Sequence, residues 1–241
     1  MSGLSGGKGV FTVVKNDAAS RARTGLLDLP RGTVETPVFM PVGTNGTVKA
    51  LTNEDLAEIG FKLILANTYH LDLRPGMEVI SRAGGLRNFT HWKGNYLTDS
   101  GGFQLFSLAP FRKISDEGVS FRSHIDGGAR FLTPEKAVEI QTILDSDIQM
   151  QLDVCTPWGT GEGEARAALE QTLRWLGRAK AAWRAARDGG YGGVLFSIVQ
   201  GNFYRELREE SARRTADLDL PGTAIGGLSV GEPKEVFREF L

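Results

Sequence analysis

Short apolar runs that end abruptly in polar residues or glycine recur along this chain, with helical patterns between them. They are TPVFMPVGTNG, ending at Gly43 and Thr44; FKLILANTYH, ending at Asn67 and Thr68; NYLTDSGG, ending at Asp99; DIQMQLDVC, ending at Asp153 and Cys155; GVLFSIVQGN, ending at Gln200; and GTAIGGLSVGE, ending at Gly226 and Gly227. Apolar runs this short, bounded by turn residues, read as buried strands. Buried strands alternating with helices imply parallel pairing through right-handed crossovers.

The helical segments carry their own boundaries. LTNEDLAEIG has Thr52 as N-cap, Asp55 in the capping-box position and a stop at Gly60. LTPEKAVEIQTIL has Thr133 as N-cap and Pro134 at the first helical position. In the longest segment, EARAALEQTLRWLGRAKAAWRAARDGG, Leu169, Leu173, Leu176 and Trp183 share one face and Gly189 closes the helix. Two stretches break the rhythm. Residues 10 to 36 read as antiparallel strands, and residues 107 to 132 as a loop and hairpin with a turn at Asp126–Gly128.

Two α/β architectures fit, an open doubly wound sheet and a (β/α)8 TIM barrel. The polar strand ends favour the barrel, because barrel enzymes gather their chemistry from many strand ends, whereas a doubly wound sheet concentrates it at one switch point. No G-x-G-x-x-G follows the first strand and no G-x-x-x-x-G-K-[ST] is present, which leaves a nucleotide loop without support. The expectation is one barrel domain over residues 1–241, incomplete, with about six of the eight strands and an N-terminal antiparallel β insertion.

Composition narrows the function classes. A charged share of 24% and a net charge of −1 over 241 residues describe an ordinary globular chain rather than a polycation, although a local basic stripe would still suit nucleic acid. The single cysteine, Cys155, excludes an intrachain disulfide and a cysteine-rich zinc site. The N-terminus lacks a signal-peptide core and no stretch reaches the ~20 apolar residues of a membrane span. A cytoplasmic protein without a membrane partner is expected.

On a barrel, Asn67, Asp99, Asp153, Gln200 and the Gly226–Gly227 backbone converge on one mouth. Two acids, two amides and bare backbone suit a flat heterocycle. A carboxylate accepts from ring N–H and exocyclic amine groups, while a glutamine amide and a peptide N–H donate to a carbonyl oxygen. Phe103 offers a ring for stacking. That pattern matches the edge of guanine, though other polar substrates fit it too. The glycine pair beside Asp99 raises the same issue locally. It is either a plain turn with a solvated acid or a backbone bent to approach a ligand.

The ordered motifs NTYHL, DSGGFQ, SDIQMQLDVC, SIVQG and IGGLSVGE, with ETPVFMPVGT near the start, closely resemble the tRNA-guanine transglycosylases. The resemblance covers nearly the whole chain. It implies replacement of guanine at the wobble position of certain tRNAs by a 7-deazaguanine base. It also implies Asp99 as the catalytic proton acceptor, also handling the base, with Ser100, Gly101, Gly102 and Phe103 as the adjoining loop. Asp153 and Gln200 would read the polar edge, Gly227 would supply an N–H, and Leu228 a carbonyl near the 7-substituent. Cys155 and Leu228–Val230 resemble the bacterial branch, which takes 7-aminomethyl-7-deazaguanine; Cys155 suits core packing equally well.

The family pattern also implies features that the sequence lacks. These are two further strands, an aspartate nucleophile in a later D…PTR motif, a basic RNA-binding region and a structural zinc site. The expectation is therefore an N-terminal portion, inactive alone, with no cofactor in this chain and no metal ligands. A homodimer and the zinc are expected at full length. The alternatives are a non-catalytic partner subunit, a base-binding paralogue, or an enzyme acting on DNA or on a free base. Outside this constellation, His70 reads as a satisfied strand-end residue, and His91 and His124 take no role. Trp175 and Trp183 read as helix packing, and Arg166, Arg174, Arg178, Lys180, Arg184 and Arg187 as a solvated face.

Overall fold

A computed structural model describes residues 10–108 and 112–241. Residues 1–9 of the N-terminal stretch and residues 109–111 of the expected loop lie outside the described residues. An antiparallel sheet comes first, built from β1 (Phe11–Asn16), β2 (Arg23–Leu29) and β3 (Gly32–Thr36). Then follow α1 (Asn53–Ile59), β4 (Leu63–Ala66), α2 (Thr68–Leu73), α3 (Met77–Ala83), α4 (Leu86–Thr90), β5 (Asn95–Thr98) and α5 (Gly102–Leu108). A second antiparallel sheet holds β6 (Lys113–Ile114), β7 (Val119–Arg122) and β8 (Ala129–Leu132). The rest is α6 (Pro134–Ile143), β9 (Ile148–Met150), α7 (Glu162–Asp188), β10 (Val194–Val199), α8 (Arg205–Ala216), β11 (Gly222–Ile225) and α9 (Lys234–Phe240).

The central sheet is parallel, in the order β4-β5-β9-β10-β11. Its order follows the chain without reversal, so no doubly wound switch point occurs. This is the order of an incomplete barrel-like α/β fold; closure is not observed among the described residues. The strand expected at the first apolar run is reduced to one parallel bridge, Val42 to Leu65. Pro37 and Pro41 explain the loss, because neither has an N–H to give a ladder. The Pro41 carbonyl still accepts from Leu65 N–H, and Gly43 N–H donates to Leu65. Both expected antiparallel stretches form, and Gly127 takes φ +69° in the turn between β7 and β8.

The helix boundaries follow their local chemistry. Thr52 accepts from Asp55 N–H while the Asp55 carboxylate accepts from Thr52 N–H, and Gly60 ends α1 at φ 93°. Thr133 accepts from Lys136 N–H ahead of Pro134. Trp175 and Trp183 are buried on α7, donating to Asp116 and Gly193 carbonyls.

Strand residues divide by period two. Ile64, Ala66 and Tyr96 face the helices, packing with Leu56, Ile80, Ile140 and Trp175, and Leu152 and Val154, beyond the end of β9, join the same cluster. Leu63, Leu97, Ile148, Met150 and Val194 face the opposite side, where Leu27, Leu29 and Val34 of the first sheet pack against them. The short β9 is reinforced by buried amides. Gln141 both donates to and accepts from the Met150 backbone, and Gln151 accepts from Ile198 N–H and donates to Thr172.

The first sheet is pinned to the strand starts by Arg31. It donates to Asp147 at 2.8 Å and to Asp145, while Asp147 accepts from Tyr96 N–H at 2.8 Å. Asp147 is 1% exposed, and burial pushes its carboxyl up even against the Arg31 charge. Arg31→Met leaves that acid unpaired and is expected to cost about 3 kcal/mol in denaturant unfolding. Because the folded-state pKa is already raised, the loss grows as pH rises above the unfolded value near 4. An equal loss at pH 5 and pH 8 would contradict the pairing.

Candidate functional site

Parallel register sets the polar strand ends level with one another. Ala66 pairs with Thr98, which places Asn67 beside Asp99. Val199 pairs with Ile225, which places Gln200 beside Gly226. Asp153 lies three residues beyond β9. A cavity of about 340 Å³ opens here, and its lining includes Asp99, Ser100, Phe103, Asp153, Gln200 and Gly227. Leu228 and Cys155 border it too, and the apolar wall includes Met40, Met150 and Ile198. Of the larger hollows elsewhere, one has two acids in its lining, Asp188 and Asp219, and both are exposed.

Asp99 is held from several sides. One carboxylate oxygen accepts from Thr68 N–H at 2.9 Å and Gly101 N–H at 3.2 Å, and the other from the Asn67 amide. The Gln104 side chain bonds to it as well. Burial nevertheless dominates and raises the carboxyl above its ordinary value. Asp153 accepts from the Gln200 amide at 2.6 Å. Burial pushes it up to about 6, opposed by Gln200 and reinforced by the Asp99 charge. Two such carboxyls in one cavity can bind hydrogen-bond donors, and the raised Asp153 can exchange a proton near pH 6.

The glycines permit this crowding. Gly101 stands at φ +84°, a region that favours glycine. A Cβ on Gly102 would lie 2.8 Å from an Asp153 carboxylate oxygen and 3.0 Å from its carbonyl. The buried Ser100 hydroxyl accepts from Gly102 N–H at 3.2 Å. On the far wall, a Cβ on Gly226 would meet the Gln200 amide nitrogen at 2.9 Å, and one on Gly227 the amide oxygen at 2.5 Å. Asp99 is thus no solvated turn acid; its glycine pair lets one strand end lie against the next.

All nine sequence-derived site residues gather here. Gly101 and Gly102 shape the loop, and the other seven line the cavity. Phe103 is 48% exposed at the edge. Sequence reasoning missed Gln104, Thr68 and the methionines of the wall. It also missed Glu232, which accepts from Ser229 and Val230 N–H and so holds the turn after Leu228. The signal for Gln104 was its place in DSGGFQ. Cys155 is a free thiol that burial pushes up to about 12, so it stays neutral.

The remaining candidates resolve into structural roles. The Tyr69 hydroxyl bonds to His124 Nδ1 at 2.8 Å, and His70 packs edge-on to both rings. His91 ends α4. On the α7 face, Arg166 pairs with Glu210, Arg174 with Asp116 and Arg178 with Glu135, while Arg187 lies over the Trp183 ring. Among the described residues, no group of three or more acids, histidines or cysteines is placed to hold a metal ion, and no helix is long and apolar enough to cross a membrane.

Comparison with known proteins gives a consistent result. The sequence profile of the queuine tRNA-ribosyltransferase family matches residues 17–241. Relatives of that name from Desulforudis audaxviator and Treponema denticola are each 58% identical, over 96% and 97% of this chain. One from Borrelia duttonii is 51% identical over 96%. The chain spans 61–62% of the length of these three relatives.

The raised Asp153 carboxyl has a stability consequence. Its folded value near 6 lies above the unfolded value near 3.8, so its favourable contribution is complete below about pH 4 and is lost as pH rises through 6. Asp153→Asn should therefore gain stability relative to the unaltered protein between pH 4 and 8, by on the order of 2–3 kcal/mol. Thermal melts across that range measure it; a constant offset would refute the raised value.

Proposed function

This chain belongs to the queuine tRNA-ribosyltransferase family, and we propose that the cavity at its strand ends binds the purine bases exchanged in a tRNA transglycosylation. The observation that carries the reading is the meeting of Asp99, Asp153, Gln200 and Gly227 around a cavity of about 340 Å³. Asp153 accepts from the ring N–H and the 2-amino group of guanine, Gln200 and the Gly227 N–H serve its carbonyl oxygen, and Phe103 covers a ring face. Leu228 lies toward the 7-substituent of the incoming base, which we take to be 7-aminomethyl-7-deazaguanine.

In the proposed reaction a carboxylate attacks ribose C1′ at the wobble position of the tRNA. The electron pair of the C1′–N9 bond leaves with guanine, which takes up a proton. The incoming base then loses its N9 proton to Asp99 as N9 bonds to C1′ and the carboxylate is released. Atoms balance, and the net transfer is one proton from the incoming base to the outgoing one. The upward shift of the Asp99 carboxyl suits this role, because it moves the group toward the working pH, where proton transfer is more efficient. The attacking carboxylate is assigned to none of these 241 residues, so the 241-residue chain alone is not expected to form the tRNA adduct. A dimeric, cytoplasmic enzyme with a zinc-binding region completes the proposal; no step here depends on the metal.

The test is exchange of labelled guanine into tRNA by a full-length chain carrying these residues. Asp99→Asn should keep the fold and slow exchange about 10²–10⁴-fold. Near-unchanged exchange would make Asp99 a structural acid only.

A further inference from the structure

α8 places two polar side chains, three residues apart, against the strand ends that border the cavity. Ser211 accepts from Gln200 N–H at 3.1 Å. Arg208 is 8% exposed, and its guanidinium donates to the Asn202 carbonyl at 3.3 Å and the Gly226 carbonyl at 3.0 Å. Among the described residues no carboxylate pairs with it; burial is what acts on its pKa, pushing it down. Arginine remains charged at any working pH. A buried cation bonded only to backbone oxygens is costly, and simple packing does not account for it.

The Gly226 carbonyl and the Gly227 N–H belong to one peptide unit. Among the described residues, that N–H has no acceptor. Among the described residues, the neighbouring Gln200 side-chain oxygen is also buried without a partner. The unmade hydrogen bond of the Gly227 N–H, at the wall of the cavity, points to a ligand acceptor that completes it.

We propose that Arg208 is a positioning residue for base recognition. Its guanidinium polarises and orients the Gly226–Gly227 peptide, which strengthens the Gly227 N–H as a donor to the 6-oxo group of a purine. Hydrogen bonds in series reinforce one another, and here the first donor carries full charge. The same effect would favour departure of guanine, whose leaving electron pair spreads onto that oxygen. This inference rests on the base-binding reading above.

The experiment compares guanine with 6-thioguanine, which keeps the ring N–H and 2-amino donors but replaces the oxygen by a weakly accepting sulfur. Affinities are measured by calorimetry for the protein and for Arg208→Met. The expected result is that the preference for guanine falls about five- to tenfold in the variant, with 6-thioguanine binding little changed. If both affinities fall by one common factor, or neither moves, Arg208 has only a structural role and the inference is overturned. Should Arg208→Met fail to fold, Arg208→Lys keeps the charge and loses the forked contact; a smaller drop in preference supports the proposal and an unchanged preference overturns it. If the unaltered protein binds neither base, the base-binding reading itself fails.

Discussion

Removing two carboxyls from water at the mouth of one sheet is the costly step around which this molecule is arranged. Each charged form loses hydration, and the Asp99 charge further raises Asp153. Asp99 is compensated by Asn67, Gln104 and the N–H groups of Thr68 and Gly101. Asp153 has the Gln200 amide. Compensation is incomplete on both, and the shortfall raises both acids, Asp153 to about 6. Glycines at 102, 226 and 227 keep side-chain bulk out of the space between these groups.

That arrangement depends on register across the sheet. A slip of one residue would turn Asp99 or Gln200 toward the helices, since strand side chains alternate in direction. Several devices hold the register. Arg31, bound to Asp145 and Asp147, fastens the first sheet to the opposite end of the strands. Gln141 and Gln151 supply hydrogen bonds where β9 is too short to pair for long. Ser211 and Arg208 on α8 fix the ends of β10 and β11. Chemistry at one end of the sheet is thereby supported by polar contacts at the other end and behind it.

Much of this was legible in the sequence wherever the cause is local. The capping box of Thr52 and Asp55, Pro134 after Thr133, and the glycine turn at Asp126–Gly128 each act within a few residues, and each formed as read. The clustering of Asn67, Asp99, Asp153, Gln200 and Gly227 was legible because strand ends in a parallel sheet share one face, while Ser100, Gly102 and Leu228 entered through the family resemblance. The first apolar run misled because its hydrophobicity suits a strand while Pro37 and Pro41 deny it a ladder. Arg31 with Asp147, and Arg208 with Gly226, were not legible: 116 residues separate the first pair, and no local pattern marks an arginine that will bond a distant backbone. In Arg208 the only trace was a charged residue beside the buried Leu207 on α8.

The central claim is that Asp153 is a desolvated acid that meets the purine directly. Carbon-13 NMR titration of its carboxyl, with and without saturating guanine, tests this most directly. The account predicts a midpoint near 6 in the free protein, moving well below that when guanine N–H groups bond to the charged form. A midpoint near 4 that guanine leaves in place would contradict it.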